Sequence, residues 1–125
     1  MTMHPAELTA CDDAALLART RAGDTAAFGE LVRRHQRAAL RLAAVIAGST
    51  EEAQDIVQDA FVKVHANVGS YRGAGSVRSW MLRVVANQAK NQVRSRIRRL
   101  RRDDRHARLC VAAVDGADAD AQRRL

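Results

Sequence analysis

The sequence predicts one all-α domain: a compact bundle of about four helices, the last of them long and basic. Most of the apolar residues are Ala, Val and Leu, and the chain has one proline and four aromatic residues, which favours helix over sheet. A chain of 125 residues can bury one modest core. We expect residues 12–102 to form this domain, residues 1–11 an N-terminal tail and residues 103–125 a linker or disordered tail.

Capping signals predict the first two helices. Asp12 and Asp13 precede a short helix that should end at Gly23, and Asp24 should cap a second helix that Gly48 terminates. Apolar residues of the second helix recur at helical spacing and are expected to form the centre of the core. These residues are Phe28, Leu31, Val32, Leu42, Val45 and Ile46.

A third helix should start at the capping box formed by Ser49 and Glu52 and should end at Gly69. Its predicted buried stripe consists of Ala53, Ile56, Val57, Ala60, Phe61 and Val64. The opposite side, which we call the acidic face, consists of Glu51, Asp55, Gln58, Asp59 and Val62. This face is either an ordinary solvated surface or, because Val62 is apolar among carboxylates, a contact surface for a basic protein partner.

The glycine-rich run "GSYRGAGS" predicts a loop, after which Ser76 should begin a fourth helix that extends to about Leu100. On a helical wheel, polar and basic residues share a stripe roughly 100° wide, and the lone tryptophan lies on or beside it. The alternative is that this tryptophan packs in the core, as a lone tryptophan often does. The stripe contains Ser76, Trp80, Arg83, Asn87, Lys90, Asn91, Arg94, Arg98 and Arg101.

The charge distribution indicates a polyanionic partner. Residues 72–102 contain ten Arg or Lys residues and no acid, within a chain whose net charge is +7. Nucleic acid is favoured over a membrane, because this segment lacks a broad aromatic or Leu-rich face to insert. Arg and Lys neutralise phosphates, Asn can contact a base edge, and Trp80 beside a flexible loop offers a stacking surface for an unpaired base.

The residues give little support to metal binding, catalysis or membrane insertion. The scattered cysteines and histidines indicate no metal site, and we expect no cofactor. No nucleophile stands beside a base and "RGAGS" lacks the lysine and spacing of a phosphate-binding loop, so we expect no enzyme and no small-molecule substrate. With no signal peptide and no apolar run of about 20 residues, we expect a cytoplasmic protein.

The ordered motifs "DIVQDAFVKV" and "YRGAGSVRSWMLRVVANQAKNQVR" resemble region 2 of extracytoplasmic-function (ECF) sigma factors of the sigma-70 family, and the likeness spans about residues 12–102. The resemblance implies that the third helix docks on the clamp coiled coil of the RNA polymerase β′ subunit through Asp55, Gln58, Asp59 and Val62. It also implies that the following loop and helix start bind the non-template strand of the promoter minus-ten element and capture a flipped base. The matching residues are Tyr71, Arg72, Gly73, Ser76, Ser79 and Trp80, with Arg83, Asn87, Lys90, Asn91 and Arg94 on the adjoining DNA-facing surface.

The chain departs from the family pattern at two places. Gln54 stands where many relatives have an acid, and "AGSV" replaces a loop in which an acid and an aromatic are common, so the recognised base stays open. Relatives normally carry a second domain with a helix-turn-helix, and nothing after residue 102 has the length or apolar periodicity for it. We therefore expect the N-terminal domain of a two-domain factor.

Two alternatives to a promoter-melting subunit stay open. One is a stand-alone duplex-binding regulator whose basic helix lies in the major groove. The other is a protein-interaction bundle held by an anti-sigma factor.

Overall fold

The computed structural model describes residues 4–73 and 75–114, and helices account for most of them. No strand occurs among these described residues, which confirms the all-α prediction. The elements are α1 (Pro5–Ala10), α2 (Asp13–Arg21), α3 (Thr25–Ala47), α4 (Thr50–Ala66), a 3-10 turn (Val68–Ser70) and α5 (Val77–Val114).

The predicted caps fix the starts of the helices. Asp12 Oδ1 accepts a hydrogen bond from Ala15 N at 2.8 Å and caps α2, and Asp24 caps α3 in the same way. Gly48 ends α3 in the left-handed region with φ 74°, which a residue without Cβ adopts readily. Ser49 Oγ then accepts from Glu52 N at 3.2 Å and begins α4.

The N-terminal segment differs from the prediction, because residues 5–10 of the expected tail form α1. Pro5 at the first position favours a helix start, and Leu8 is only 4% exposed. Arg34 of α3 donates from Nη2 to the carbonyl oxygens of Leu8 and Thr9, each at 3.1 Å. This side chain therefore holds α1 against α3.

The buried face of α3 also differs from the prediction. Every fourth residue from Ala27 to Ala47 is buried, and four of the six residues in this contact ridge are alanines. Of the six residues predicted for the core, Leu31 alone is fully buried, while Val45 is 82% exposed and the other four are half-buried. The prediction followed the large apolar side chains of α3, whereas alanines form most of the buried ridge. The ridge consists of Ala27, Leu31, His35, Ala39, Ala43 and Ala47.

The prediction for α4 is confirmed. All six residues of its predicted stripe are buried, although the helix ends at Ala66 and the 3-10 turn replaces the expected last turn up to Gly69. The first turns of α5 bury Val77, Met81, Val85 and Ala89, again at four-residue steps. These side chains complete the core.

The chain divides into two compact units, residues 1–92 and residues 93–125. In the second unit, α5 continues to Val114 and does not end near Leu100, so residues 103–114 are helical where a linker was predicted. The sequence contains no Gly or Pro from residue 93 until Gly116 and is rich in Arg, Ala and Leu, which all favour helix. Residues 115–125 of the predicted tail lie outside the described residues. In the described part of the chain, no helix combines the length and apolar character needed to cross a bilayer.

Candidate protein and nucleic-acid interfaces

The acidic face of α4 is a solvent-facing surface in the first unit. Asp55, Gln58 and Asp59 are exposed, and Val62 keeps 65% of its surface accessible. The structure therefore brings together the four residues predicted to contact the polymerase. Val62 follows Asp59 by one helical turn, so the face combines an exposed apolar side chain with carboxylates.

An apolar groove adjoins the acidic face. It lies between α3 and α4, has a volume of about 730 Å³ and shares Gln58 and Val62 with that face. Phe28 lies in the groove with its ring edge-on to the His65 ring, the centroids 4.8 Å apart. The sequence analysis missed this groove because it placed Phe28 and Val32 in the core, whereas both line the groove wall.

The loop before α5 is closed by the Tyr71 side chain. The Tyr71 hydroxyl donates to Gly75 O at 2.6 Å, and the Tyr71 ring lies 5.7 Å from the Trp80 ring at an interplanar angle of 50°. Gly73 and Gly75 have φ of 80° and 79°, a conformation that side chains with Cβ rarely adopt. Arg72 and Gly73 are exposed, and Ala74 lies outside the described residues.

The two serines predicted to contact DNA form the cap of α5. Ser76 Oγ accepts from Ser79 N at 3.0 Å and lies 2.8 Å from Ser79 Oγ. Trp80 N donates to Ser76 O at 3.1 Å, which places Trp80 in the first turn. The cap thus fixes the indole beside the loop.

Trp80 is half-buried and forms one wall of a polar cavity of about 270 Å³. Trp80 is therefore neither sealed in the core nor fully exposed on the basic stripe. Of the predicted DNA-binding residues, Trp80, Asn87 and Asn91 line the cavity, whereas Arg83 and Lys90 are exposed outside it. The remaining lining residues are Lys63, Asn67, Ser70, Val84 and Gln88.

The sequence analysis missed the polar residues that α4 and the 3-10 turn contribute to this cavity. Lys63 and Asn67 stand one turn apart, and Asn67 Nδ2 donates to Lys63 O at 2.8 Å. Lys63 Nζ also hydrogen-bonds to Gln88 Oε1 of α5. A polar pair at the end of an amphipathic helix is a weak sequence signal. Only the folded chain shows that Lys63 and Asn67 line the same cavity as Trp80.

A buried histidine links the start of α5 to two other helices. His35 is 6% exposed; its Nε2 lies 2.7 Å from Asp13 Oδ2 of α2 and its Nδ1 lies 3.4 Å from Arg78 Nη1 of α5. Because a guanidinium can only donate, the contact with Arg78 is a hydrogen bond in the tautomer whose Nδ1 accepts and whose Nε2–H donates to Asp13. The residue immediately before Ser79 and Trp80 is therefore anchored to the core.

Three of the cations predicted to contact DNA keep their charge accessible. Arg72, Arg83 and Lys90 are exposed, and none of them takes part in an ion pair within residues 4–73 and 75–92. Their charge is thus available to an anionic partner. Arg94, predicted as a further DNA contact, belongs to the second unit and is exposed there.

The chain matches a family model and several curated proteins. The model described as Sigma-70 region 2 matches residues 31–105. The chain is 43% identical over 82 residues to ECF RNA polymerase sigma factor SigM of Mycobacterium tuberculosis, covering 66% of this chain and 42% of that protein. It is 37% identical over 92 residues to RNA polymerase sigma-H factor of Pseudomonas aeruginosa, covering 74% and 48% respectively.

A third relative is ECF RNA polymerase sigma-E factor of Haemophilus influenzae, 34% identical over 113 residues that cover 90% of this chain and 56% of that protein. The chain thus spans about half the length of the curated relatives it matches. The region 2 match covers more than half of the chain, and its residues include the acidic face, the loop and the Trp80 cavity. This chain therefore belongs to the ECF group of the sigma-70 family.

Proposed function

We propose that this chain acts in transcription initiation, as a domain that docks on RNA polymerase and recognises and melts the promoter minus-ten element. The observation that carries the proposal is the cavity beside Trp80, with the indole as an aromatic wall and polar side chains, among them the exposed Lys63, in its lining. The domain needs no catalytic activity for this function, because strand separation is driven by binding energy.

The cavity suits one unpaired base. Its volume of about 270 Å³ lies below the roughly 300–1,000 Å³ of pockets for drug-sized ligands. The indole of Trp80 offers a stacking surface, and the side-chain amide of Asn87, together with Asn67 Oδ1 and Gln88 Nε2, offers donors and acceptors for a base edge. A protein that reads an intact duplex through its major groove does not need such a cavity.

The free-energy cost of separating the strands can be offset by contacts with this surface. Extruding a base costs a few kcal/mol, and stacking of a base on an aromatic side chain recovers about 1–3 kcal/mol. Phosphate contacts of Arg72, Arg83 and Lys90 would supply the remainder through release of counterions. The non-template strand would therefore be held single-stranded once it enters the cavity.

We further propose that the acidic face and the apolar groove dock the clamp helices of the β′ subunit. The face supplies the carboxylates of Asp55 and Asp59, and Val62 connects it to the apolar wall of the groove. A surface with an apolar centre and a charged rim is typical of a protein interface. A basic helix with apolar residues on one side fits this combination, which supports the partner that the family resemblance implies.

The strand preference tests the DNA half of the proposal. A labelled single-stranded oligonucleotide, selected from a random pool in the presence of the clamp helices, is compared by fluorescence anisotropy with a duplex of the same sequence. We expect tighter binding of the single strand. A strong preference for duplex without polymerase would support the major-groove regulator and contradict strand capture.

A charge reversal tests the polymerase half. Asp55→Arg should abolish pull-down by the β′ clamp helices, because it places a cation on the surface that faces the basic partner. Glu7→Arg reverses an exposed acid on α1 and serves as the matched control, with binding expected to be retained. If Asp55→Arg binds as well as the control, the acidic face is not the docking surface.

A further inference from the structure

An arginine at the end of α2 ties down the loop that precedes α5. Arg21 donates from Nε to Val68 O at 2.8 Å and from Nη2 to Tyr71 O at 2.7 Å. The acceptors are 47 and 50 residues away in the sequence. They stand at the first residue of the 3-10 turn and at the residue that follows the turn, so one guanidinium spans it.

These two hydrogen bonds fix the start of a glycine-containing loop. Arg72, Gly73 and Gly75 are exposed, and the two glycines have positive φ. The far side of the loop is restrained by the bond from the Tyr71 hydroxyl to Gly75 O, which itself depends on the position of Tyr71. Arg21 is therefore the contact through which α2 sets the backbone of Tyr71.

We propose that Arg21 is a positioning residue for base capture: it holds Tyr71 against Trp80 before DNA arrives. This inference rests on the proposed function of the cavity beside Trp80. Charge-assisted bonds from a rigid guanidinium fork fix direction as well as distance. A loop ordered in advance does not lose that conformational freedom on binding, so affinity rises without any added DNA contact.

The competing explanation is that Arg21 simply attracts phosphate. Both of the N–H groups described above point to backbone carbonyls, but the charge of the side chain persists and could act at a distance. A lysine at this position keeps the charge and cannot reproduce the planar fork. The Lys variant therefore separates positioning from attraction.

The test uses the emission of Trp80, the only tryptophan in the chain. Arg21→Ala, Arg21→Lys and the wild type are titrated with the selected single-stranded oligonucleotide. Arg37→Ala, which removes an exposed arginine of α3 with no hydrogen bond among the described residues, is the control for lost charge. We expect both Arg21 variants to bind about tenfold more weakly, in line with the loss of one to two hydrogen bonds.

Two further measurements identify why the Arg21 variants bind the oligonucleotide more weakly. In the free protein, the Arg21 variants should show altered Trp80 emission and greater quenching by acrylamide, because Tyr71 no longer covers the indole. The dependence of affinity on salt should be the same for Arg21→Lys and wild type, because no phosphate contact is lost. The role of Arg21 would be overturned, with the proposed function left standing, if Arg21→Lys bound the oligonucleotide as tightly as wild type. The same would follow if Arg21→Ala and Arg37→Ala bound it equally well. A wild-type chain that fails to bind the oligonucleotide would overturn both the inference and the proposed function.

Discussion

Removal of the indole should weaken binding of single-stranded DNA without abolishing docking on the polymerase. Trp80→Ala takes away one wall of the cavity, whereas the acidic face on α4 does not include this residue. Stacking of a base on an aromatic side chain contributes about 1–3 kcal/mol, which corresponds to about 5- to 150-fold in affinity.

The structure narrows the range of the expected loss of affinity. The Tyr71 ring lies 5.7 Å from the Trp80 ring and stays in place as a second aromatic surface in the variant. We therefore expect the lower part of the range, about 5- to 30-fold weaker binding. Trp80→Phe retains a stacking face and should recover most of the loss, which separates stacking from a hydrogen bond of the indole N–H.

The assay is fluorescence anisotropy with a labelled single-stranded oligonucleotide, since the variant has no tryptophan of its own. Circular dichroism and pull-down with the clamp helices establish that each variant is folded, because Trp80 is half-buried. The reasoning is refuted if folded Trp80→Ala binds within about twofold of wild type. It is also refuted if Trp80→Phe binds no better than the alanine variant.

Two predictions concern stability, and urea denaturation measures both. Leu31→Ala should lower the free energy of unfolding by about 2–5 kcal/mol, whereas Val45→Ala should change it by less than about 0.5 kcal/mol, because Leu31 has no exposed surface and Val45 is 82% exposed. Equal effects would contradict the alanine ridge of α3. Hydrogen bonds from Arg33 and Arg34 lower the pKa of Glu30 from 4.5 to about 2, so its ionised form stabilises the fold above pH 4.5 and this contribution is lost as the pH falls towards 2. Glu30→Gln should flatten the stability profile in that window, and an unchanged profile would contradict the pairing.

Features that depend on a single helix could be predicted from the sequence. The stripe and the acidic face of α4 follow from large apolar residues at helical spacing, and the structure buries and exposes them as predicted. The caps at Asp24 and Ser49 are equally local, because a side-chain oxygen bonds to backbone N–H groups two or three residues later.

Contacts between helices could not be predicted from these patterns. Alanines form most of the buried face of α3. Their apolar character is weak, so the prediction favoured larger residues such as Val45, which is exposed. Lys63 lines the same cavity as Trp80 and hydrogen-bonds to Gln88 of α5, and no spacing within α4 shows this. Arg21 reaches Tyr71 across 50 residues, so its role as a contact is visible only in the folded chain.

Residues 103–114 illustrate a different difficulty. Their Asp-rich surroundings resemble a linker, yet Arg and Ala have high helix propensity and no residue between Leu100 and Val114 interrupts the helix. The segment therefore continues α5. Composition alone gave too much weight to the acidic tail that follows.

In the proposed function one base leaves the stack and enters the cavity beside Trp80, and an abasic scan tests this step most directly. The selected single-stranded oligonucleotide is synthesised with one abasic site at each position in turn, and each version is titrated against the wild-type chain while Trp80 emission is recorded. We predict that removal of one particular base weakens binding about tenfold and eliminates the change in emission, while neighbouring positions have small effects. Small and uniform losses along the whole oligonucleotide, with the change in emission retained at every position, would contradict base capture.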